Sequence, residues 1–111
     1  MKIAIIGTGN LGCSIATGLI TQNAITSLYL TRRNIENIKE FKGYSNVFLT
    51  SDNRKAVKNS DILIFAVQPS HLEGILNTIK DLFTEKHVII STITGYSVSK
   101  IEKNPIEWNG L

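Results

Sequence analysis

Short apolar runs alternate along this chain with segments whose apolar residues recur at helical spacing. The runs cover 2–6, 27–31, 46–50, 61–67 and 87–93, and most are continuous rather than alternating. A strand covered on both faces reads that way, because neither side of its pleat meets water. Between the runs, Leu11, Ile15 and Leu19 fall four apart, and Leu72, Ile75, Leu76, Ile79, Leu82 and Phe83 make a strong helical stripe. A weaker helix is expected over 35–41 and a short one over 52–58. Such alternation builds α/β folds, in which crossovers lay helices on both faces of a parallel sheet. The expectation is three layers with five strands in the middle. The stretch 104–111 has one proline, one glycine and no clear periodicity, and reads as a tail leading towards a further element.

Composition narrows the class without changing this picture. A chain of 111 residues, 42% hydrophobic and 19% charged, has the size and apolar content of one globular domain. The net charge of +3 is mild, and no run of five or six like charges marks a nucleic-acid tail. No nucleic-acid partner is expected. Cys13 is the single cysteine, so an intrachain disulfide is impossible and a reducing compartment is the natural reading. The apolar start after Met1 and Lys2 ends at Gly7, too short for a secretory segment and far short of a membrane span. A cytoplasmic protein with no membrane partner is expected.

The first strand run opens directly into Gly7-Thr8-Gly9-Asn10-Leu11-Gly12, which has the spacing G-x-G-x-x-G. Each glycine has a physical task in that motif. Gly7 allows the tight turn out of the strand, Gly9 lets the backbone approach a pyrophosphate, and Gly12 lets the helix pack close to the strand. The helix that follows offers unpaired N–H groups and a partial positive charge to phosphates. Strand, turn and helix stand in the order that the motif requires, so the sheet is read as Rossmann-type and doubly wound. With five strands rather than six, its second half is expected to be incomplete.

Cofactor choice is read at the end of the second strand, where NAD-selective domains place a carboxylate for the ribose 2′-hydroxyl. Here the chain has Thr31, Arg32 and Arg33 instead. A guanidinium matches a 2′-phosphate through paired, charge-assisted hydrogen bonds. The cofactor expected is NADP(H).

Four stretches resemble the N-terminal domain of pyrroline-5-carboxylate reductase: 5–12, Ser51-Asp52-Asn53, Phe65-Ala66-Val67-Gln68-Pro69, and Ser91-Thr92-Ile93-Thr94-Gly95. The resemblance runs from Met1 to about Lys103, which makes 1–103 the NADP-binding domain and 104–111 a tail leading to a helical C-terminal domain absent from the chain. It implies that Asn53 contacts the adenosine end, that Ala66, Val67, Gln68 and Pro69 line the nicotinamide ribose, and that Thr94 stands near the reacting ring. It also implies an oxidoreductase of proline biosynthesis that reduces a small cyclic imine with NADPH, and a homo-oligomer built through the second domain. Two positions depart from the family pattern. Gln68 stands where a lysine is usual, and Ile93-Thr94 is bulkier than the usual pair of alanines.

Other conspicuous residues read as structural. Cys13 is expected to pack as a small hydrophobe, and His87 to belong to the fifth strand. His71, which follows Pro69-Ser70 at a helix start, is expected to have a surface or capping role, with approach to a bound cofactor as the alternative. No spacing of His, Cys, Asp or Glu suggests a metal site. Two other functions remain open: a different NADP-dependent reductase, such as a deazaflavin-dependent one, and a non-catalytic nucleotide-sensing module.

Overall fold

Successive side chains of β1 (Lys2–Ile6) face opposite ways, and this alternation divides the interior into two cores. Ile3 and Ile5 join one cluster with Leu28, Leu30, Ile38 and Ile64; Ala4 and Ile6 join another with Leu63, Phe65, Leu72 and Ile89. The computed structural model describes residues 1–92 and the backbone of 107–110. The first core is roofed by α1 (Asn10–Ile20) and a 3₁₀ segment, Ile35–Phe41. The second is roofed by α2 (Asn53–Lys58) and α3 (Pro69–Ile79), with a further 3₁₀ turn at Lys80–Leu82. The expected three layers are therefore present.

The sheet contains β1, β2 (Ser27–Thr31), β3 (Val47–Thr50), β4 (Ile62–Phe65), β5 (Val88–Ser91) and β6 (Glu107–Gly110), in the order β3-β2-β1-β4-β5-β6. All neighbours pair in parallel; Ile5, for example, lies opposite Leu30 on one side and Ile64 on the other. Burying a side chain such as Ile5 or Phe65 contributes roughly 1.5–3 kcal/mol, and both are wholly enclosed. The strand order reverses between β1 and β4, which opens a crevice at the carboxyl ends of those strands.

Two expectations need correction. The sheet holds six strands rather than the expected five, because Glu107–Gly110 pairs with β5 in register Val88 to Glu107. Strand β6, Glu-Trp-Asn-Gly, holds one large apolar residue, Trp108, so no apolar run announced it. Residues 35–41 form 3₁₀ rather than α structure, kinked at Ile38. Ile35, Ile38 and Phe41 recur every third residue, the period of a 3₁₀ helix, and Ile38 and Phe41 are the two that reach the core.

His87 is structural, as expected. Its Nδ1 accepts from the Thr84 amide at 3.0 Å, which leaves Nε2 to donate to the Ser60 carbonyl at 3.1 Å.

Candidate functional site: a cleft at the sheet switch point

Strand β1 ends in a turn held by its neighbour. Gly7 has φ +78°, and a Cβ there would collide with Cγ1 of Val67. Only glycine fits both constraints. The amide of Gly7 donates to Thr31 Oγ1 at 3.1 Å, the amide of Thr8 to the Thr31 carbonyl at 2.7 Å, and Arg32 Nη1 to the Thr8 carbonyl at 2.9 Å. Gly9, by contrast, faces open space, with nothing within 4 Å of where a Cβ would stand. At Gly12 a Cβ would lie 3.3 Å from Ile5 Cγ2 and from Thr8 Cγ2, so the missing side chain is what lets α1 rest on β1. Gly7 and Gly12 thus perform the turn and packing tasks that their spacing suggested, and Gly9 leaves the space before α1 open.

Helix α1 starts without a cap. Gly9 supplies no side-chain bond, and the first turn holds no acidic residue. The amides of Asn10, Leu11 and Gly12 precede the first intrahelical bond, from Cys13 to Gly9 at 2.8 Å, and have no side-chain acceptor among the described residues. Helix α3 starts similarly: Gln68 provides no side-chain cap, and Pro69 at the first position has no N–H to satisfy. Helix α2 is different, because Asp52 accepts from the amides of Arg54 at 3.0 Å and Lys55 at 3.3 Å.

The two uncapped helices border a cleft of about 1020 Å³. Gly7 and Gly9 form its middle, Ala66, Val67 and Gln68 its floor beyond β4, and Ser70, His71, Gly74 and Ile75 its wall on α3. The other end is lined by Thr31, Arg32, Arg33, Asn34, Asn37, Ser51 and Asn53. Cations are present and no carboxylate is found among these lining residues, so the cleft favours an anion.

Most residues singled out from the sequence therefore meet in one place. Several sit differently. Thr8 is fully buried and its hydroxyl donates to the Ile5 carbonyl at 3.3 Å, so its side chain turns away from the cleft. Gly12 is buried under α1. Asn10 and Leu11 are exposed at the start of α1 and are not among the residues that line the cleft. Pro69 begins α3 without lining the cleft. Ile93, Thr94 and Gly95 lie outside the described residues.

Sequence reasoning missed Asn34, Asn37, Gly74 and Ile75 as lining residues. A signal existed in their spacing: Asn34 and Asn37 are three apart, and Gly74 and Ile75 lie four beyond Ser70 and His71, which places each set on one helical face. Cys13 is outside this cleft. Burial pushes its thiol up, with the nearby Glu40 carboxylate adding to the effect, so it is a poor nucleophile. Among the described residues no cluster could hold a metal ion, and no helix is long and apolar enough to cross a membrane.

The chain is similar to known proteins. Residues 2–95 match the family described as NADP oxidoreductase coenzyme F420-dependent. Pyrroline-5-carboxylate reductase 2 of Dictyostelium discoideum is 40% identical over 105 residues, which is 93% of this chain and 35% of that protein. The structure of a pyrroline-5-carboxylate reductase from Coxiella burnetii superimposes with a TM-score of 0.82 at 32% identity, covering 92% of this chain and 38% of that one. A Plasmodium falciparum pyrroline carboxylate reductase with NADP bound shares the fold, with a TM-score of 0.76 at 24% identity over 97% of this chain and 41% of that one. The chain spans well under half the length of these relatives.

Proposed function

The chain belongs to the family described as NADP oxidoreductase coenzyme F420-dependent, and we propose on that premise that its cleft is the NADP(H) half-site of a pyrroline-5-carboxylate reductase. The observation that carries this reading is the open N-terminus of α1, with no side-chain cap and an unobstructed Gly9, beside two arginines and no carboxylate. An anion satisfies such a terminus.

In this reading the amides of Asn10, Leu11 and Gly12 hold the pyrophosphate. Thr31, Arg32 and Arg33 form the end that takes the 2′-phosphate, and Asn53 meets the adenosine. Ala66, Val67, Gln68 and Pro69 border the nicotinamide ribose, with Thr94 near the ring. NADPH, when bound, supplies the hydride that reduces the imine carbon. The chain's own contribution is orientation: a rigid turn fixes the phosphates, and a strand-end floor fixes the sugar beyond them.

The substrate class proposed, a small cyclic imine, is supported by the name of the 40% identical relative, a pyrroline-5-carboxylate reductase. The described residues wall only the cofactor side. In this reading a further domain, of the kind the greater length of the relatives leaves room for, supplies the substrate wall and the homo-oligomer of a cytoplasmic enzyme. Reaction rates depend steeply on holding two reactants in a closed pocket, so the 111-residue chain alone should bind NADPH and oxidise it poorly with pyrroline-5-carboxylate.

The test is calorimetric titration with NADPH and NADH, followed by NADPH oxidation assays with pyrroline-5-carboxylate, using this chain and a longer form carrying the second domain. Tighter NADPH binding, with turnover only by the longer form, is expected. Equal affinity for both cofactors would remove the assignment of the arginines, and robust turnover by the chain alone would show a pocket complete without a second domain. The family description favours one competing reading, in which coenzyme F420 rather than an imine exchanges hydride with NADP. NADPH oxidation driven by F420, with none driven by the imine, would decide for it.

A further inference from the structure

A second cavity, of about 480 Å³, lies between α1 and the 3₁₀ segment and shares no lining residue with the cleft. Its chemistry is the reverse. The α1 wall presents Ser14, Thr17 and Thr21, spaced three and four apart and so on one face of the helix. Each of these hydroxyl protons is engaged by the helix itself: Ser14 donates to the Asn10 carbonyl at 3.2 Å, Thr17 to the Cys13 carbonyl at 2.9 Å, and Thr21 to the Gly18 carbonyl at 3.4 Å. What they offer the cavity is lone pairs. Cys13 gives its S–H to Glu40 Oε1 at 3.8 Å, and burial pushes this thiol up, so it stays a donor. Glu40 is exposed and has no basic partner within ion-pair distance among the described residues. No lysine or arginine lines the cavity; Ile20 and the rings of Phe41 and Tyr44 complete it.

We infer that this cavity is a binding site for a small organic monocation, a primary alkylammonium, held by the Glu40 carboxylate and the acceptor wall of Ser14, Thr17 and Thr21. The inference is independent of the cofactor reading. An ammonium carries three donors and no acceptor, which complements a wall whose own donors are engaged. An anion would meet a carboxylate with no cation to offset it, and a neutral alcohol would bring a single donor. The Tyr44 hydroxyl, on a half-exposed ring, adds an acceptor because its proton can turn to solvent. Aromatic faces attract cations as well, and Ile20 and Phe41 give a short carbon chain apolar surface to rest on. The volume lies within the roughly 300–1,000 Å³ usual for small-molecule sites. One carboxylate matches one charge, which favours a monocation over a polyamine.

The experiment titrates the full 111-residue chain, at neutral pH and constant ionic strength, with three probes of equal length: n-butylammonium chloride, n-butanol and sodium butyrate. Amide NMR follows each titration. Butylammonium should give saturable shifts confined to residues 13–21 and 40–44, with a Kd in the millimolar range expected of so small a ligand. Butanol should bind about three- to fivefold more weakly, the worth of one exposed ion pair, and butyrate should give no saturable shift. Glu40→Gln keeps the shape and removes the charge, so it should bring butylammonium down to the affinity of butanol. Thr17→Val removes one acceptor and should weaken butylammonium by about twofold or more. Butanol binding as tightly as butylammonium, unchanged affinity in Glu40→Gln, or shifts that grow without saturating would each overturn the inference. The comparison of probes on the parent needs no variant, so it decides the matter even if a substitution disturbs the fold. Sedimentation equilibrium of the parent separates a free cation from a basic side chain of a second copy. A monomer is expected; a dimer that Glu40→Gln dissociates would give the cavity to the second copy and overturn the assignment to a free ligand.

Discussion

Helices α1 and α2 both follow a strand of the same sheet, yet they begin in opposite ways. Asp52 closes α2 with its own carboxylate, bonding the amides of Arg54 and Lys55. Gly9 closes nothing on α1. A capped terminus is satisfied within the chain; an uncapped one at the mouth of a basic cleft is satisfied by an anion from outside. The chain can make a good cap, as α2 demonstrates. Leaving α1 without one is therefore informative, and it supports the proposed phosphate site at α1, with structural duty at α2.

The largest expected effect on stability comes from the turn that feeds the open helix. Gly7→Ala forces a side chain into a left-handed conformation and against Val67, and should lower unfolding free energy by about 3 kcal/mol or more. Urea denaturation of both proteins measures it. A loss under about 1 kcal/mol would mean that the turn relaxes easily, which would weaken the claim that it is rigid.

The closed helix should respond more mildly and without involving the cofactor. Asp52→Ala removes the α2 cap and should reduce stability by about 1 kcal/mol. NADPH affinity should hardly change, because the cap bonds face α2 rather than the phosphates. A large fall in affinity with intact stability would erase the contrast between the two helix starts.

The smallest effect belongs to the bridge that ties α2 to the end of α3. Arg54 pairs with Asp81 through both nitrogens, at 2.7 and 3.0 Å, and also donates to the Thr78 carbonyl at 2.8 Å. The hydrogen bond from Arg54 holds the Asp81 carboxyl below its usual range. A depressed carboxyl stabilises the fold above its unfolded pKa, near 3.9, and that contribution disappears as pH falls through the folded value. Thermal melts of Asp81→Asn should thus fall slightly below the parent at neutral pH and converge with it in acid. Both side chains are largely exposed, so solvent screening keeps the difference small.

Much of this contrast was legible before any coordinates. The strands β1 and β2 coincide with their apolar runs, and the Leu72 to Phe83 stripe gave α3 and the turn after it. The glycine spacing encoded the turn after β1 because Gly7 and Gly12 each answer a local steric demand. What stayed hidden depended on partners elsewhere in the fold. Strand β6 is made by pairing with β5, not by its own composition. Thr8 looked like a cleft residue from its place in the motif, but its hydroxyl is drawn inward to Ile5. The Arg32 bond to the Thr8 carbonyl joins residues 24 apart in sequence, and no periodicity predicts it.

The central claim is that the open start of α1 is the phosphate site, and the most direct test gives α1 the cap that α2 already has. In Gly9→Asp the side chain enters space that is empty around Gly9. It can bond the amides of Leu11 or Gly12, and its charge repels a pyrophosphate at the same spot. Calorimetric titration with NADPH, paired with a thermal melt, is the measurement. The account predicts a stability equal to the parent or a few tenths of a kcal/mol above it, together with NADPH affinity reduced by about a hundredfold or more, as expected when a negative charge replaces a phosphate-binding amide cluster. A variant that folds as well as the parent and binds NADPH equally tightly would contradict it.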